Sequence, residues 1–310
     1  MLTVPMDVLE QFPVRKSKKQ RKVFRDAVES YITVLGYAYR VEKGSLGSRN
    51  MVIGDPDSAK YLITAHYDTC AHLPIPNFIT PCNLLMFLLY QVFVTVISFV
   101  PAVLVGFAAS QFVGDPYIAF LVGYYVLVLT VILMFSGPAN KHNANDNTSG
   151  VVTLLEIART MPENLRSQVC FVLFDLEEAG LIGSTSYRKA HKSASQNQLV
   201  LNMDCVGDGD EIMLFPTKKL RKDEVKMDAL DKITGVWGNK SISLHKKGFY
   251  VYPSDQKNFP YGVGIAAFHR NRGIGLYCSR IHTNRDRVLE YTNVNILRAA
   301  LITLVSGIKS

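Results

Sequence analysis

The chain has 310 residues, a formal net charge of +8 and a hydrophobic fraction of 48%. This composition excludes collagen-like, intrinsically disordered and disulfide-scaffold proteins. The five cysteines are an odd number without a Cys-x-x-Cys pair, so we expect reduced thiols and a reducing compartment. The N-terminal segment has no apolar run long enough for a signal peptide, so we expect no cleaved signal.

Residues 18–35 are predicted to form an amphipathic helix with a basic side. Apolar residues recur at helical spacing between Val23 and Leu35, which predicts a face packed on a core. The basic residues are expected to be solvated or to contact anionic lipid headgroups. Nucleic-acid binding is not expected, because no recognition module accompanies the charge. The basic residues are Arg15, Lys16, Lys18, Lys19, Arg21, Lys22 and Arg25.

Two long uncharged segments predict a transmembrane helical hairpin at residues 83–135. Residues 84–109 and 116–135 number 26 and 20, and about 20 helical residues cross a hydrocarbon core roughly 30 Å thick. Asp115 is a predicted N-cap, with Pro116 at the first position of the second helix. Small residues recur every four positions in both segments, which predicts close helix packing. They are Ala102, Gly106, Ser110, Ala119 and Gly123. The alternative is a pair of helices buried in a large soluble core.

The charges around the hairpin predict its orientation. A hairpin returns both chain ends to one side of the membrane, and its tip at 110–115 has no Lys or Arg. Lys141 and a domain rich in Lys and Arg flank the other end. The positive-inside bias therefore predicts an integral, two-pass membrane protein with its soluble domain in the cytosol. We expect the lipid bilayer as a partner, and hairpins of two chains can pair into a homo-oligomer.

The rest of the chain, residues 1–82 and 136–310, is predicted to form one discontinuous domain. Short apolar runs alternate with helical segments, which predicts an α/β fold. We expect a mixed, largely parallel central sheet sandwiched by helices and interrupted by the hairpin. The predicted strands are 61–65, 169–174, 199–203 and 264–268, and the predicted helices are 149–160, 183–192, 220–234 and 293–307.

Polar residues follow three of the predicted strands. His66 and Asp68 follow the first strand, Glu177 and Glu178 the second, and Asp204 the third. Ligands bind outside the carboxyl ends of the strands in open α/β sheets. We therefore expect these side chains to lie close together.

Two loop residues complete the candidate site. Asp146 lies in the segment NANDNTSG just before a predicted helix, and His282 lies in the segment RIHTNRD. Imidazoles and carboxylates are ligands for zinc. Clustered carboxylates repel one another strongly unless cations neutralise them. The residues therefore predict a site for a pair of divalent metal ions.

The order of these motifs resembles the di-zinc aminopeptidases of the bacterial leucyl-aminopeptidase type, whose relatives include the glutaminyl cyclases. The resemblance covers about residues 20–305 without the hairpin. It implies the zinc aminopeptidase fold and two Zn²⁺ ions per chain. The motifs are His-x-Asp (His66, Asp68), Asp-Asn (Asp146, Asn147), Glu-Glu (Glu177, Glu178), Asp (Asp204), Ser-Asp (Ser254, Asp255) and His-Thr-x-x-Asp (His282, Thr283, Asp286).

The resemblance also implies a set of metal ligands. Asp146 would bridge the two zinc ions. His66 and Asp204 would complete one site, and Glu178 and His282 the other. The peptide bond after Asp146 is expected to be cis, as is frequent in this family.

Further residues are expected to act around the metals. The resemblance implies that Glu177 is the general base and that Asp68 fixes the tautomer of the nearby histidine ligand. Substrate-binding candidates are Tyr250 and Tyr252, as donors to the oxyanion, and Asp255 of the Ser-Asp element.

Two positions depart from the family pattern. Gln256 follows the Ser-Asp element where many relatives have His, and Ile281 precedes the last histidine where relatives have Tyr. The hairpin is a third departure, since relatives have a short loop there.

We therefore expect a membrane-anchored, zinc-dependent aminopeptidase that hydrolyses N-terminal residues from peptides with a free N-terminus. A metal-activated water would attack, with a glutamate as general base. The alternatives are a glutaminyl cyclase-like acyltransferase, a hydrolase of another amide, and a non-catalytic scaffold in a membrane complex. The hairpin either brings the site to peptides at the membrane or only localises or oligomerises the enzyme.

Overall fold

The computed structural model describes residues 2–307, which form a mixed sheet with helices on both faces and two long helices packed mainly on each other. The helices are α1 (Asp7–Gln11), α2 (Lys18–Val34), α3 (Leu84–Ser110), α4 (Pro116–Ser136), α5 (Gly150–Thr160), α6 (Ile182–Ala190), α7 (Glu224–Asp231) and α8 (Tyr291–Ser306). The strands are β1 (Tyr39–Lys43), β2 (Arg49–Ile53), β3 (Tyr61–His66), β4 (Val169–Phe174), β5 (Leu199–Met203), β6 (Glu211–Pro216), β7 (Gly235–Trp237), β8 (Lys240–Leu244), β9 (Gly262–Asn271) and β10 (Gly275–Tyr277).

The strands lie in the order β1-β2-β4-β3-β5-β9-β6-β8-β7, with β10 paired to β9. The neighbours β4, β3, β5 and β9 run parallel, as do β6 and β8, and the other pairings are antiparallel. The four strands predicted from apolar runs are these four central neighbours. The predicted α/β class with a mixed sheet is confirmed, and the main parallel block lies at its centre.

Alternate side chains of the central strands enter two hydrophobic layers. In β4, Phe171 and Leu173 belong to the larger core, which also contains residues of α2, α5 and α8. Val172 and Phe174 belong to a second layer with Tyr187 of α6. Successive strand residues point to opposite faces, so a strand that is apolar throughout is covered on both sides.

One predicted helix is shorter than expected. The sequence predicts a single helix at 220–234, but α7 spans only Glu224–Asp231. The side chain of Asp223 accepts the backbone N–H of Lys226 and caps the helix there.

The basic side of α2 is partly buried, which corrects the expectation of a solvated or lipid-facing cluster. Arg21 pairs with Asp175 at 2.9 Å, and Arg25 donates to the Tyr67 hydroxyl at 2.7 Å. Arg15, just before the helix, is fully buried. These guanidinium groups face inward because they bind polar groups beside the sheet, whereas Lys18, Lys19 and Lys22 are exposed.

The two long helices, α3 and α4, form a hairpin that is not part of the domain core. Both are long and apolar enough to cross a membrane, and only 6% of the most apolar 18-residue window of each is buried. A Cβ on Gly123 would lie 2.9 Å from the carbonyl oxygen of Ala102. The small residues therefore mark the helix contact, as their spacing predicts. The alternative of two buried core helices is wrong.

Several contacts attach the hairpin to the domain. Tyr90 of α3 donates its hydroxyl to the carbonyl of Pro76, and the Lys16 ammonium donates to the carbonyl of Phe135 at 2.7 Å. The chain segments that enter and leave the hairpin pair as an antiparallel bridge at Ala71 and Ala139. The hairpin is thus held at both of its ends.

Candidate metal centre

The candidate metal centre lies where the parallel strands end. In the parallel register, Ala65 of β3 lies beside Leu173 of β4, and Thr64 lies beside Asn202 of β5. All three strands therefore end at one edge of the sheet. The polar residues that follow them converge there, as the sequence predicts.

One cluster contains His66, Asp146 and Asp204, whose ligand atoms all lie within 4.8 Å of one another. His66 Nε2 is 3.3 Å from Asp146 Oδ1 and 3.6 Å from Asp204 Oδ1. All three residues are buried. An imidazole nitrogen and two carboxylate oxygens at this spacing can supply three of the four ligands of a tetrahedral zinc site.

A second cluster lies on the other side of Asp146. His282 Nε2 is 3.0 Å from Asp146 Oδ2 and 3.5 Å from Glu178 Oε2. The two oxygens of Asp146 therefore face different histidines. This carboxylate is the part shared by the two clusters.

The turn that carries Asp146 is fixed by buried hydrogen bonds. Asp286 accepts the backbone N–H groups of Asn145 and Asp146 at 2.7 and 3.0 Å. The side chain of Asn147 donates to the Met203 carbonyl at 2.9 Å and accepts the Gly150 N–H at 3.0 Å. The peptide bond between Asp146 and Asn147 is cis, as the resemblance implies.

Asp68 orients the Glu-Glu pair as well as the histidine. Its carboxylate accepts the backbone N–H groups of Glu177 and Glu178 at 3.0 and 3.3 Å. His66 Nδ1 lies 3.2 Å from the Asp68 carbonyl oxygen and 3.6 Å from its carboxylate. The main chain of Asp68 thus supplies the acceptor that leaves Nε2 of His66 free to face the cluster. The predicted role of the Asp68 side chain in fixing the tautomer of His66 stays a prediction, and the same side chain also holds the main chain of the Glu-Glu pair.

The electrostatics of the site fit cations. Burial raises the pKa of Glu177 well above its usual value and that of Glu178 to about 8. Burial lowers the pKa of His282, but Glu178 and Asp146 outweigh it and hold that pKa at about 9. Burial also raises the pKa of Asp146, yet the two histidines hold it well below its usual value. Glu178 Oε1 is buried and has no hydrogen-bond partner among the described residues. Divalent cations would neutralise these acids and occupy the unpaired oxygen.

The three residues predicted for substrate binding differ in their hydrogen bonds and burial. The Tyr252 hydroxyl donates to the Asp204 carbonyl at 2.8 Å, and the Tyr250 hydroxyl donates to the Pro216 carbonyl at 2.8 Å. Both hydroxyl protons are therefore engaged by the main chain. Asp255 is fully buried, and burial raises its pKa to about 7.

Gln256, the departure that follows the Ser-Asp element, fills a structural position. Its side chain donates to the Tyr252 carbonyl at 2.9 Å and accepts from Asn202 at 3.2 Å. A Cβ on Gly264 would lie 2.6 Å from its amide nitrogen, so the glycine makes room for it. Gln256 supports the sheet beneath the site.

Two neighbours of the site were not foreseen. Arg15 donates to the Tyr67 carbonyl at 2.5 Å, and its charge acts on Asp68 and Asp146. Cys70 has its sulfur within 4.8 Å of ligand atoms of Glu178 and His282. The sequence offers a signal for Cys70, since it stands four residues after His66, in the loop that follows β3. For Arg15 none does, because it is remote from every motif.

The sequence of this chain is similar to those of known peptidases. The sequence model of peptidase family M28 matches residues 130–305, more than half of the chain. The aminopeptidase YwaD of Bacillus subtilis is 26% identical over 138 residues, which cover 38% of this chain and 29% of YwaD. A vacuolar membrane protease of Schizosaccharomyces japonicus is 25% identical over 181 residues, which cover 57% of this chain and 20% of that protein. The chain thus spans under a third of either relative.

Solved structures share the whole fold at low identity. The glutaminyl cyclase of Porphyromonas gingivalis has a TM-score of 0.61 at 15% identity, covering 98% of this chain and 96% of that one. A Zn-dependent exopeptidase from Parabacteroides distasonis has a TM-score of 0.58 at 15% identity, with coverage of 97% and 96%. Together with the family match, these likenesses confirm the resemblance carried by the motifs.

Proposed function

The chain belongs to peptidase family M28, and we propose that it is a membrane-anchored aminopeptidase with two zinc ions per chain. The observation that carries the proposal is the Asp146 carboxylate, whose two oxygens face His66 and His282 at 3.3 and 3.0 Å. A carboxylate shared in this way suits a pair of metal ions.

The proposed ligands follow from the two clusters. His66, Asp146 and Asp204 would hold one ion, and Asp146, Glu178 and His282 the other. When bound, the ions would polarise the scissile carbonyl and lower the pKa of the attacking water.

Glu177 is the proposed general base. It stands beside the ligand Glu178 and has a carboxylate oxygen within 4.8 Å of ligand atoms of His66 and Glu178. Asp68 holds the backbone of both glutamates, which fixes where the Glu177 carboxylate can reach. Glu177 takes the proton of the attacking water and returns it to the leaving amine.

Membrane anchoring by α3 and α4 is proposed from their length, apolar character and exposure. The lysines at the domain end, with Lys16 bound to the end of α4, favour the cytosolic orientation. One relative of similar sequence is named a vacuolar membrane protease.

Glutaminyl cyclisation is the second candidate, because glutaminyl cyclases share the fold over nearly their whole length. The two clusters around Asp146 favour hydrolysis, since together they provide ligands for two ions. A non-catalytic scaffold would need none of these buried acids.

The experiment is product analysis of a mixed peptide library by mass spectrometry. Detergent-purified, zinc-loaded protein is compared with chelated protein and with Glu177→Gln, and Glu163→Gln at an exposed position is the matched control. We expect stepwise loss of N-terminal residues, abolished by chelation and lowered about 10²–10⁴-fold in Glu177→Gln. Loss of ammonia from N-terminal Gln peptides alone would instead support the cyclase. Unchanged peptides would support the scaffold.

A further inference from the structure

A cavity of about 610 Å³ joins the candidate metal centre to the helical hairpin. We call it the hairpin cavity. One end is lined by Cys70, Glu178 and His282, and the other by Val94, Ile97 and Leu133. Two proposed zinc ligands and two proposed membrane helices therefore share one space.

The hairpin cavity extends deep along the helices. It is lined by Tyr90 and by Pro101, which stands eleven residues further along α3. Eleven helical residues rise about 16 Å, roughly half of a 30 Å hydrocarbon core. The lining on α4 reaches from Phe135 to Thr130. The deep part thus lies at a depth where lipid tails surround the hairpin.

The chemistry of the lining changes along its length. The charged or imidazole-bearing residues, Glu178, His282 and His72, all belong to the domain end. Gln91 stands next to Tyr90, toward the domain end. The polar side chains further along the helices bond within their own helix, since Ser98 donates to the Val94 carbonyl at 2.7 Å and Thr130 to that of Val126 at 2.9 Å. The deep end therefore accepts an uncharged, apolar occupant without leaving a polar group unpaired.

We propose that the hairpin cavity binds the apolar residues that follow the scissile bond of a peptide lying in the membrane. This inference rests on the proposed aminopeptidase function. An extended chain advances about 3.3–3.6 Å per residue, so 16 Å holds about five residues. An aminopeptidase has one residue on the amino side of the scissile bond, so a run of that length belongs to the leaving side. The substrate class is thus peptides with an apolar segment directly after a free N-terminus.

The first test compares two hexapeptides in proteoliposomes. They share their first two residues, and residues three to six are Leu and Val in one and Ser and Gln in the other. A short aminoacyl anilide reports turnover that does not need the cavity. We expect kcat/KM at least tenfold higher for the apolar hexapeptide.

Variants separate binding in the cavity from partition into lipid. Thr130→Phe fills the deep end, and Leu129→Phe places the same side chain on the exposed face of α4. We expect the apolar-to-polar ratio of kcat/KM to fall at least fivefold in Thr130→Phe and to stay unchanged in Leu129→Phe. Equal ratios in all three proteins, with the anilide still cleaved, overturn the cavity proposal and leave the peptidase function standing.

Crosslinking gives a readout that does not depend on turnover. An apolar hexapeptide with a diazirine at residue five is irradiated with Glu177→Gln, and the adducts are mapped by mass spectrometry. We expect adducts at residues 94–98 and 130–134. Adducts confined to the outer helix faces overturn the proposal. So does a photoactivatable phospholipid that labels the hairpin cavity and is not displaced by the peptide. Absence of any turnover overturns the proposed function instead, and the adducts then decide the cavity by themselves.

Discussion

Asp286 offers the sharpest test of how the metal centre is held. This buried carboxylate accepts the backbone N–H groups of Asn145 and Asp146 at 2.7 and 3.0 Å. Asp286→Asn keeps one acceptor oxygen and turns an NH₂ group toward the other N–H. A buried N–H without an acceptor costs about 1–3 kcal/mol. If the turn relieves that cost by moving Asp146, the zinc dissociation constant rises about 5- to 150-fold.

The assay is a competition titration of zinc against a chromophoric chelator, performed on detergent-purified protein. Asp228→Asn, at an exposed position of α7, is the matched control and should bind zinc like the wild type. The unfolding temperature of the zinc-free proteins is measured in parallel. A lower unfolding temperature of Asp286→Asn with unchanged zinc affinity would refute the reasoning, because Asp286 would then stabilise only the loop.

Three further predictions concern the hairpin, the Glu-Glu pair and pH. Gly123→Val should lower the unfolding temperature, because its Cβ would lie 2.9 Å from the Ala102 carbonyl oxygen and overpacking costs about 1–3 kcal/mol. The control is Gly114→Val, whose Cβ would have no neighbour within 4 Å. Equal effects of the two substitutions would contradict close packing of the helices. Asp68→Asn should lower kcat/KM about 10–100-fold, because it keeps one acceptor oxygen and removes the acceptor of the other of two backbone N–H groups at the Glu-Glu pair. An unchanged peptidase rate would argue against that positioning. Burial raises the pKa of Asp175 to about 6, so the stability that its protonation provides is present below about pH 4 and is lost as pH rises through 6. The unfolding free energy of the wild type relative to Asp175→Asn should therefore fall by up to about 3 kcal/mol across that window in urea titrations, and a flat difference would contradict it.

The centre of the sheet could be predicted from sequence, whereas its edges could not. Strand β4 has six consecutive buried residues, so burial on both faces left an unbroken apolar run in the sequence. Strand β1 is exposed or half-buried throughout, and β7 is three exposed residues. Such strands are stabilised by pairing with a neighbouring strand. Their own residues do not show which strand that is, so the pairing could not be predicted from sequence.

The candidate site also has features that could be predicted from sequence and features that could not. Its proposed ligands were predictable because each follows a strand or stands in a short motif. The burial of Arg21 and Arg25 could not be predicted, since helical spacing does not show that Asp175 and Tyr67 lie where they bind these side chains. The hairpin cavity was also invisible, because it depends on where Tyr90 anchors α3 to the domain.

Ala71 and Ala139 face each other across an antiparallel bridge, so their Cα atoms lie about 5 Å apart. The segment between these two alanines carries α3 and α4, and it also binds the loop of His282. The Leu73 N–H donates to the His282 carbonyl at 2.8 Å, and Ile79 forms an antiparallel bridge with Cys278. Replacing this segment by a tight turn would leave the strands and the Asp146 turn in place but would remove these contacts to the His282 loop. The helical insertion and the candidate site are therefore not separable parts of the chain, because residues that lead into α3 also support the loop that carries a proposed ligand.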